Sequence, residues 1–352
     1  MSINAAVQPS EWHPVVARLL GLLEGDSSLK STLIEAINAS KRFEEPQLQS
    51  YCYLVHRMQT TVPNPKTWLP MNLEFYYVMA CANEDGLNRH PGFMQWVREY
   101  VESIGKWMDS PDSMGAFQAF TEDQLYAVND YVAPPSGWLT YNQFFARQIK
   151  SGARTVDAPH DDRIVVAAAD STFCGCQRIT ADSTVTTKGL LWNISELLAG
   201  SPHAEAFANG WYGHNFLAPH NYHRFHTPVR GRLVELRTIM GKVTMDVYAL
   251  PDGRLSVERS AIGYQFQQER GLAILESAIG LVAVIPIGMG IVSSVNFSAL
   301  NNSWLEKGSE LGFFSFGGSD VVLVFQQQVP LQWQVQAGDV CRQGKVIAHA
   351  DI

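Results

Sequence analysis

Charge is scarce in this 352-residue chain: Asp, Glu, Lys and Arg make up 17% of it and sum to −8. A basic surplus for nucleic acid is missing, and the acidic balance gives no general attraction to anionic lipid. No apolar run reaches the roughly 18 residues that a spanning helix needs. The longest candidate, 272–295, is interrupted by Glu276, Gly280, Pro286, Gly288 and Gly290 and reads as sheet with turns. The first residues carry neither a basic n-region nor an apolar h-region, so a cytoplasmic protein is expected. Cysteine is sparse, odd in number and scattered: Cys52, Cys81, Cys174, Cys176 and Cys341. That pattern suits a reducing compartment better than a disulfide framework. Cys174-Gly175-Cys176 has no second Cys pair to complete a zinc site, and reads as two small residues on one face of a strand. Gly288-Met289-Gly290 lacks the third glycine of a dinucleotide fingerprint and reads as close backbone packing or a substrate-lining turn. There is no internal repeat and no low-complexity segment.

The chain is 46% hydrophobic, ample for a full core, and its length suggests two domains. Residues from about 10 to 130 read as helical. Ser10 can cap a first helix, 31–37 continues the helical period, and 71–82 is apolar and aromatic up to Asn83-Glu84-Asp85-Gly86. Phe93, Trp96, Val97, Tyr100, Val101, Ile104 and Met108 recur at helical spacing, a core stripe. Pro134-Pro135-Ser136-Gly137 marks the boundary between a helical domain, 10–137, and a second domain, 138–352. The second opens with a short amphipathic helix over 138–150, anchored by Phe144 and Phe145. Short strands follow: 164–169 ending at Asp170, then 232–236, 243–250, 281–287 and 321–325, with glycine turns at Gly338 and Gly344. The expected fold class is α+β.

The stretch that organises the chain is Gly317-Gly318-Ser319-Asp320 before the apolar run 321–325. One reading is a hairpin turn before a buried strand. The other is that the Gly318–Ser319 bond is built to break. A serine hydroxyl attacks the preceding carbonyl if a base takes its proton and the backbone is held in a strained turn. Gly318 leaves that carbonyl open. β-Elimination of the resulting ester would turn Ser319 into a pyruvoyl group, which forms a Schiff base with a substrate amine and acts as an electron sink.

The densest polar and aromatic cluster runs from Asn221 to Gly231, with His220, His223 and His226 spaced by three. On a regular strand His223 and His226 would face opposite ways, so sharing a site requires a turn. Acid–base work is preferred here over a metal site, even with His214 nearby, because the segment has no carboxylate. Asp170, alone at the end of an apolar strand, is a turn aspartate or the partner that orients a histidine.

Several ordered motifs from about residue 138 to the C-terminus resemble the phosphatidylserine decarboxylase family of pyruvoyl enzymes. They are Phe144-Phe145-Ala146-Arg147 with Lys150-Ser151-Gly152-Ala153-Arg154; Ala168-Ala169-Asp170; Lys188-Gly189; and 217–228 around Asn221-Tyr222-His223-Arg224-Phe225-His226. Gln268-Glu269-Arg270 and Lys307-Gly308-Ser309-Glu310-Leu311-Gly312, ahead of Gly317-Gly318-Ser319, complete the set. The resemblance implies a barrel-sandwich catalytic domain and a self-cleavage triad of Ser319, His226 and Asp170. It also implies a role for His223 in decarboxylation, a self-generated pyruvoyl cofactor at Ser319 and no metal. Cleavage between Gly318 and Ser319 would leave a long β chain and a short α chain that stay associated. Family members tend to be dimers, so a homodimer is the implied assembly. Asp320 stands where the family has Thr or Ser, Asn221 where it has Asp, and Gln268 where it has Asn; Asp320 would be expected to raise the serine's pKa or slow cleavage.

The N-terminal half, with Lys106-Trp107-Met108-Asp109-Ser110-Pro111-Asp112-Ser113 and Gly137-Trp138, more loosely resembles the extra domain of the pyruvoyl-dependent L-tryptophan decarboxylases. It implies a soluble, small-molecule substrate, best an aromatic L-amino acid. The alternatives are phosphatidylserine, which would bring membrane association, and a processing-dead relative that only binds a ligand. The C-terminal segment 336–348 also resembles biotinyl and lipoyl carrier domains, but has no lysine in an attachment motif.

Overall fold

The computed structural model describes residues 9, 11–82, 86–187, 190–257, 266–290, 294–315, 318–327 and 329–352. Ser10, Asn83 to Asp85, the Lys188-Gly189 pair, 291–293 and Gly317 of the cleavage motif lie outside them. The chain divides into two compact units, residues 1–123, 138–142 and 243–258 in one, 124–137, 143–242 and 259–352 in the other.

The first unit is built from the helices Pro14–Gly25, Ser27–Ser40, Gln47–Met58, Trp68–Ala80 and Pro91–Met108. The Pro91–Met108 helix buries all seven residues of the stripe read from the sequence. Side chains set the helix starts by accepting the orphan N–H groups of first turns. His90 Nδ1 accepts from Phe93 N at 3.1 Å, and Asp26 Oδ1 from Leu29 N at 2.9 Å. His90 Nε2 and Asp26 Oδ2 meet at 3.0 Å, so one contact ties two helix starts together. The first helix starts at Pro14, with His13 as its cap. A hairpin from much later in the chain, Val247–Ala249 with Leu255–Val257, joins this unit. Arg42 donates to the Gly253 carbonyl at 3.0 Å, and Tyr76 Oη to that of Val243 at 3.4 Å.

The second unit is centred on an eight-stranded antiparallel sheet. Its order is Trp304–Leu305, Gly231–Ile239, Arg270–Ser277, Gly280–Met289, Gly318–Phe325, Trp211–Leu217, Ser171–Arg178, Val340–Cys341. Period-2 alternation divides the Gly318–Phe325 strand: Val322 and Val324 face a core with Tyr212, Phe266, Leu272, Ile274, Ile285 and Ile287, while Ser319, Val321 and Leu323 face the other way. Two three-stranded sheets accompany it: Val295–Phe297, Glu310–Phe314 and Arg224–His226; and Ile164–Val166, Val346–Ala350 and Leu331–Trp333. The architecture is α+β, and no strand pairing closes a barrel among the described residues.

Three local expectations change. The helix expected over 138–150 is only Tyr141–Phe145, because 148–150 is drawn into bonds with 130–132: Val132 N donates to Gln148 O at 2.8 Å and Lys150 N to Asp130 O at 2.9 Å. The strand expected over 164–169 stops at Val166, where Ala167 and Ala168 turn their backbone groups to Lys345, Gly344 and His226. Asp170 therefore stands at the head of the next strand. Cys174 and Cys176 flank Gly175, whose φ of 138° sits at a register shift, so the thiols differ in environment: Cys174 is half-buried and Cys176 exposed.

Candidate active site

Ser319 lies on the strand Gly318–Phe325, between Gly280–Met289 and Trp211–Leu217. Its cross-strand neighbours are Gly288 and Leu217. The Gly318–Ser319 bond thus sits on the first rungs of a ladder and not in the turn expected from its glycines. Ser319 is completely buried. Gly288, the first glycine of the Gly-x-Gly pair, places no side chain beside it.

His223 is the histidine that meets this serine: Nδ1 lies 3.3 Å from Ser319 Oγ. The other ring nitrogen, Nε2, lies 3.1 Å from the Ala218 carbonyl oxygen. A carbonyl only accepts, so Nε2 carries the proton and Nδ1 presents its lone pair to the hydroxyl. Burial, and then the Arg147 charge, hold His223 well below the ordinary histidine range, so it is neutral. Phe145 stacks on the imidazole with centroids 3.9 Å apart, and Phe314 meets it edge-on.

The turn that makes this contact is built by its own residues. Asn221 N donates to Ala218 O at 2.9 Å, and Asn221 Oδ1 accepts from Ala218 N at 2.7 Å. An amide oxygen serves that purpose as a carboxylate would, which accounts for Asn at this position. Arg147 donates to the His220 and Asn221 carbonyls, each at 2.9 Å, and lies over the Tyr131 ring at 4.2 Å. Arg224 donates to the Ala146 carbonyl and forks onto Glu310 at 2.8 and 2.9 Å.

His226 and Asp170 belong to separate hydrogen-bond sets. His226 Nδ1 donates to the Gly308 carbonyl at 2.9 Å, and Nε2 accepts from Tyr222 Oη at 3.1 Å, so both ring nitrogens are engaged. Burial lowers its pKa as well. Asp170 accepts from Arg154 Nε and from Arg154 Nη2 at 2.6 Å, and from Gln343 N at 2.8 Å. Its charge reaches His226 without a hydrogen bond between them. The expected set of Ser319, His226 and Asp170 is thus not one hydrogen-bonded chain here; the serine's partner is His223.

Asp320 points away from Ser319, to the opposite face, where its Oδ2 lies 2.8 Å from His214 Nε2. Both side chains are completely buried. Burial alone would lower the pKa of His214, but the Asp320 carboxylate overrides it and pushes it up to about 10, with Cys174 adding to the rise. The pair is therefore ionic, and the carboxylate is neutralised away from the serine. The carboxylate expected to disturb Ser319 thus faces His214 instead. Among the described residues no group of three His, Cys, Asp or Glu is placed to hold a metal ion. Arg147, Tyr222 and Arg154 carry much of the site but had no role assigned from the sequence, because their partners, the His220 and Asn221 carbonyls, His226 and Asp170, are fixed only by the fold. Arg270 clamps the Ile194–Leu197 turn by donating to the Leu197 and Glu196 carbonyls, each at 2.7 Å.

The profile of the phosphatidylserine decarboxylase family matches residues 141–349, which hold every one of these groups. The chain belongs to the phosphatidylserine decarboxylase family. This is a family of carboxy-lyases whose pyruvoyl group comes from the polypeptide itself. Among similar proteins, phosphatidylserine decarboxylase proenzyme 2 of Oryza sativa subsp. japonica is 32% identical over 240 residues, 67% of this chain and 37% of its own. The phosphatidylserine decarboxylase proenzyme of Fusobacterium nucleatum is 30% identical over 228 residues, 63% of this chain and 72% of its own. Decarboxylase iboD of Amanita muscaria is 28% identical over 298 residues, 74% of this chain and 84% of its own. The chain thus spans little more than a third of the rice protein but most of the other two. Ser319 fits the family's pyruvoyl group: it is buried at a strand start, and a neutral imidazole with a fixed proton faces its hydroxyl.

Proposed function

We propose that this chain is a proenzyme that cuts itself between Gly318 and Ser319, and that the product decarboxylates a soluble aromatic L-amino acid, tryptophan-like, to its amine and CO2. The observation that supports the first half is the 3.3 Å approach of His223 Nδ1 to Ser319 Oγ, with the ring proton held on the far nitrogen. His223 takes the hydroxyl proton as Oγ attacks the Gly318 carbonyl carbon; the Ser319 nitrogen leaves protonated and an ester replaces the amide. Loss of the Ser319 α-proton expels the Gly318 carboxylate, and water releases the nitrogen as ammonia. Ser319 would carry the pyruvoyl group, which would supply an electron sink for the α-carbon of a substrate amine. His223 moves a proton in both reactions. His226 anchors the Gly308 carbonyl, and Asp170 anchors Arg154 and the Gln343 backbone N–H.

The aromatic substrate is supported by the resemblance of the N-terminal half to L-tryptophan decarboxylases and by the Phe145 and Phe314 rings beside His223. Relatives named phosphatidylserine decarboxylase proenzymes favour the second reading, phosphatidylserine. Fragment mass and CO2 release test both halves. Wild type should give 1–318 and 319–352; Ser319→Ala and His223→Asn should each give one uncut chain. His226→Asn should still be cut, at a rate within about tenfold of wild type. An uncut His226→Asn beside a cut His223→Asn reverses the base assignment. Release of CO2 from phosphatidylserine and from no free amino acid selects the second substrate.

A further inference from the structure

Asp320, the second residue after the Gly318–Ser319 bond, lies in the core of the protein beside His214. Asp320 and His214 have no solvent exposure, and their 2.8 Å contact joins the serine strand to its neighbour Trp211–Leu217 from the face opposite His223. A buried ion pair is a poor way to add stability, because desolvating both charges offsets most of their attraction. Its use is geometric: with one partner fixed in a continuous strand, the other has a single position. His214 is such a fixed partner, paired across the sheet with Val322 on one side and Gly175 on the other.

The serine strand needs this only after it is cut. Before cleavage Ser319 is tied covalently to Gly318, which is itself paired with Met289. On the Trp211–Leu217 side the ladder among the described residues begins at Ser319, opposite Leu217. Cleavage removes the tie to Gly318, and the loss of nitrogen as ammonia removes the Ser319 N–H from the ladder. Asp320 then becomes the first residue of the new chain with both backbone groups intact, at a strand end where fraying is easiest.

We propose that the Asp320–His214 ion pair is a positioning device that holds the new α-chain end in the sheet once the Gly318–Ser319 bond is gone. Asp320 and His214 act through the strand and touch no reacting atom. The inference rests on the self-cleavage reading above.

Hydrogen exchange over 320–325 tests it on the full chain, in two backgrounds: processed protein and uncut Ser319→Ala. Asp320→Asn should be cut like wild type. In the processed protein it should exchange these amides about tenfold faster than wild type, and hydroxylamine should modify its carbonyl at an altered rate. In the Ser319→Ala background the same substitution should leave exchange over 320–325 within about twofold. If Asp320→Asn proves insoluble, the His214→Gln, Asp320→Asn pair of substitutions, which removes both charges, goes through the same comparison with the same expectation. Equal exchange in processed wild type and variant overturns the proposal. So does acceleration of the same size in both backgrounds, which would make the pair a general part of the core. A variant that folds but stays uncut also overturns it, because the pair would then act before cleavage. A wild-type chain that stays whole removes the self-cleavage reading itself, a result distinct from the other three.

Discussion

Arg147 is a buried guanidinium that donates to the carbonyl oxygens of His220 and Asn221 and, more weakly, to that of Phe144. It fixes the turn that carries His223, and its charge helps to keep that histidine neutral. Arg147→Met should therefore act twice. Losing two charged-donor hydrogen bonds should cost roughly 2 to 4 kcal/mol of stability, read by denaturant titration. Removing the cation should also move the acid limb of the self-cleavage rate to higher pH. The sign follows from the direction of the shift. The folded pKa of His223 lies below the unfolded value, so its neutral form is stable above the ordinary histidine range. That stability is lost as pH falls below the range and the unfolded state takes the proton first. With Arg147 gone, burial, the largest cause, keeps the shift downward though smaller. An acid limb that does not move would detach Arg147 from the chemistry. The resemblance to the phosphatidylserine decarboxylase family pointed to Ser319, His223, His226 and Asp170 as a group. Which histidine meets the serine was not legible, because it depends on the closed turn from Ala218 to Asn221. The destination of Asp320 was hidden for a similar reason: its partner lies 106 residues earlier, on the neighbouring strand.

Among the elements, the turn at Gly308 is tightly constrained. Its φ is 82°, and an added Cβ would stand 2.4 Å from Val156 Cγ2. Its carbonyl holds His226 Nδ1, and Lys307 beside it donates to the Ala158 and Asp161 carbonyls. Gly308→Ala should cost roughly 1 to 2 kcal/mol for the left-handed backbone alone, with the Val156 clash added. A lower melting temperature and slower cleavage are the expected outcomes; an unchanged time course would show that the His226 anchor tolerates displacement. Helical spacing alone located Pro91–Met108 and its buried face, because a long amphipathic period is a strong local signal. The serine strand was legible from Val321 onward, where the β-branched run starts. Its first rungs at Gly318 and Ser319 were not, since cross-strand pairing with Met289 and Gly288 overrides a local preference for a turn.

At the scale of the whole molecule, the order of the large sheet is not the order of the chain. The serine strand lies between 280–289 and 211–217, with Val321 to Phe325 almost wholly buried. Five such side chains contribute on the order of 10 kcal/mol in area removed from water. Residues 331–333 and 346–350 pair with each other, and 346–350 also pairs with Ile164–Val166. After cleavage, residues 319–352 should remain with 1–318 through gel filtration and in native mass spectra, and separate only in denaturant. Separation in mild buffer would contradict this packing. The hairpin within 243–258 joins the helical unit from the middle of the strand-rich sequence, a placement that no local pattern announces. Likewise the groups around Ser319 come from widely spaced parts of the chain: Phe145 behind the imidazole, Ala218 fixing its tautomer, Gly288 opposite the serine. They meet only in the finished tertiary structure. On the self-cleavage proposed above, the scissile bond would work as an internal inspector of assembly: a half-made or misassembled copy would lack its reagent and stay inert, so every active molecule would already have passed a folding test.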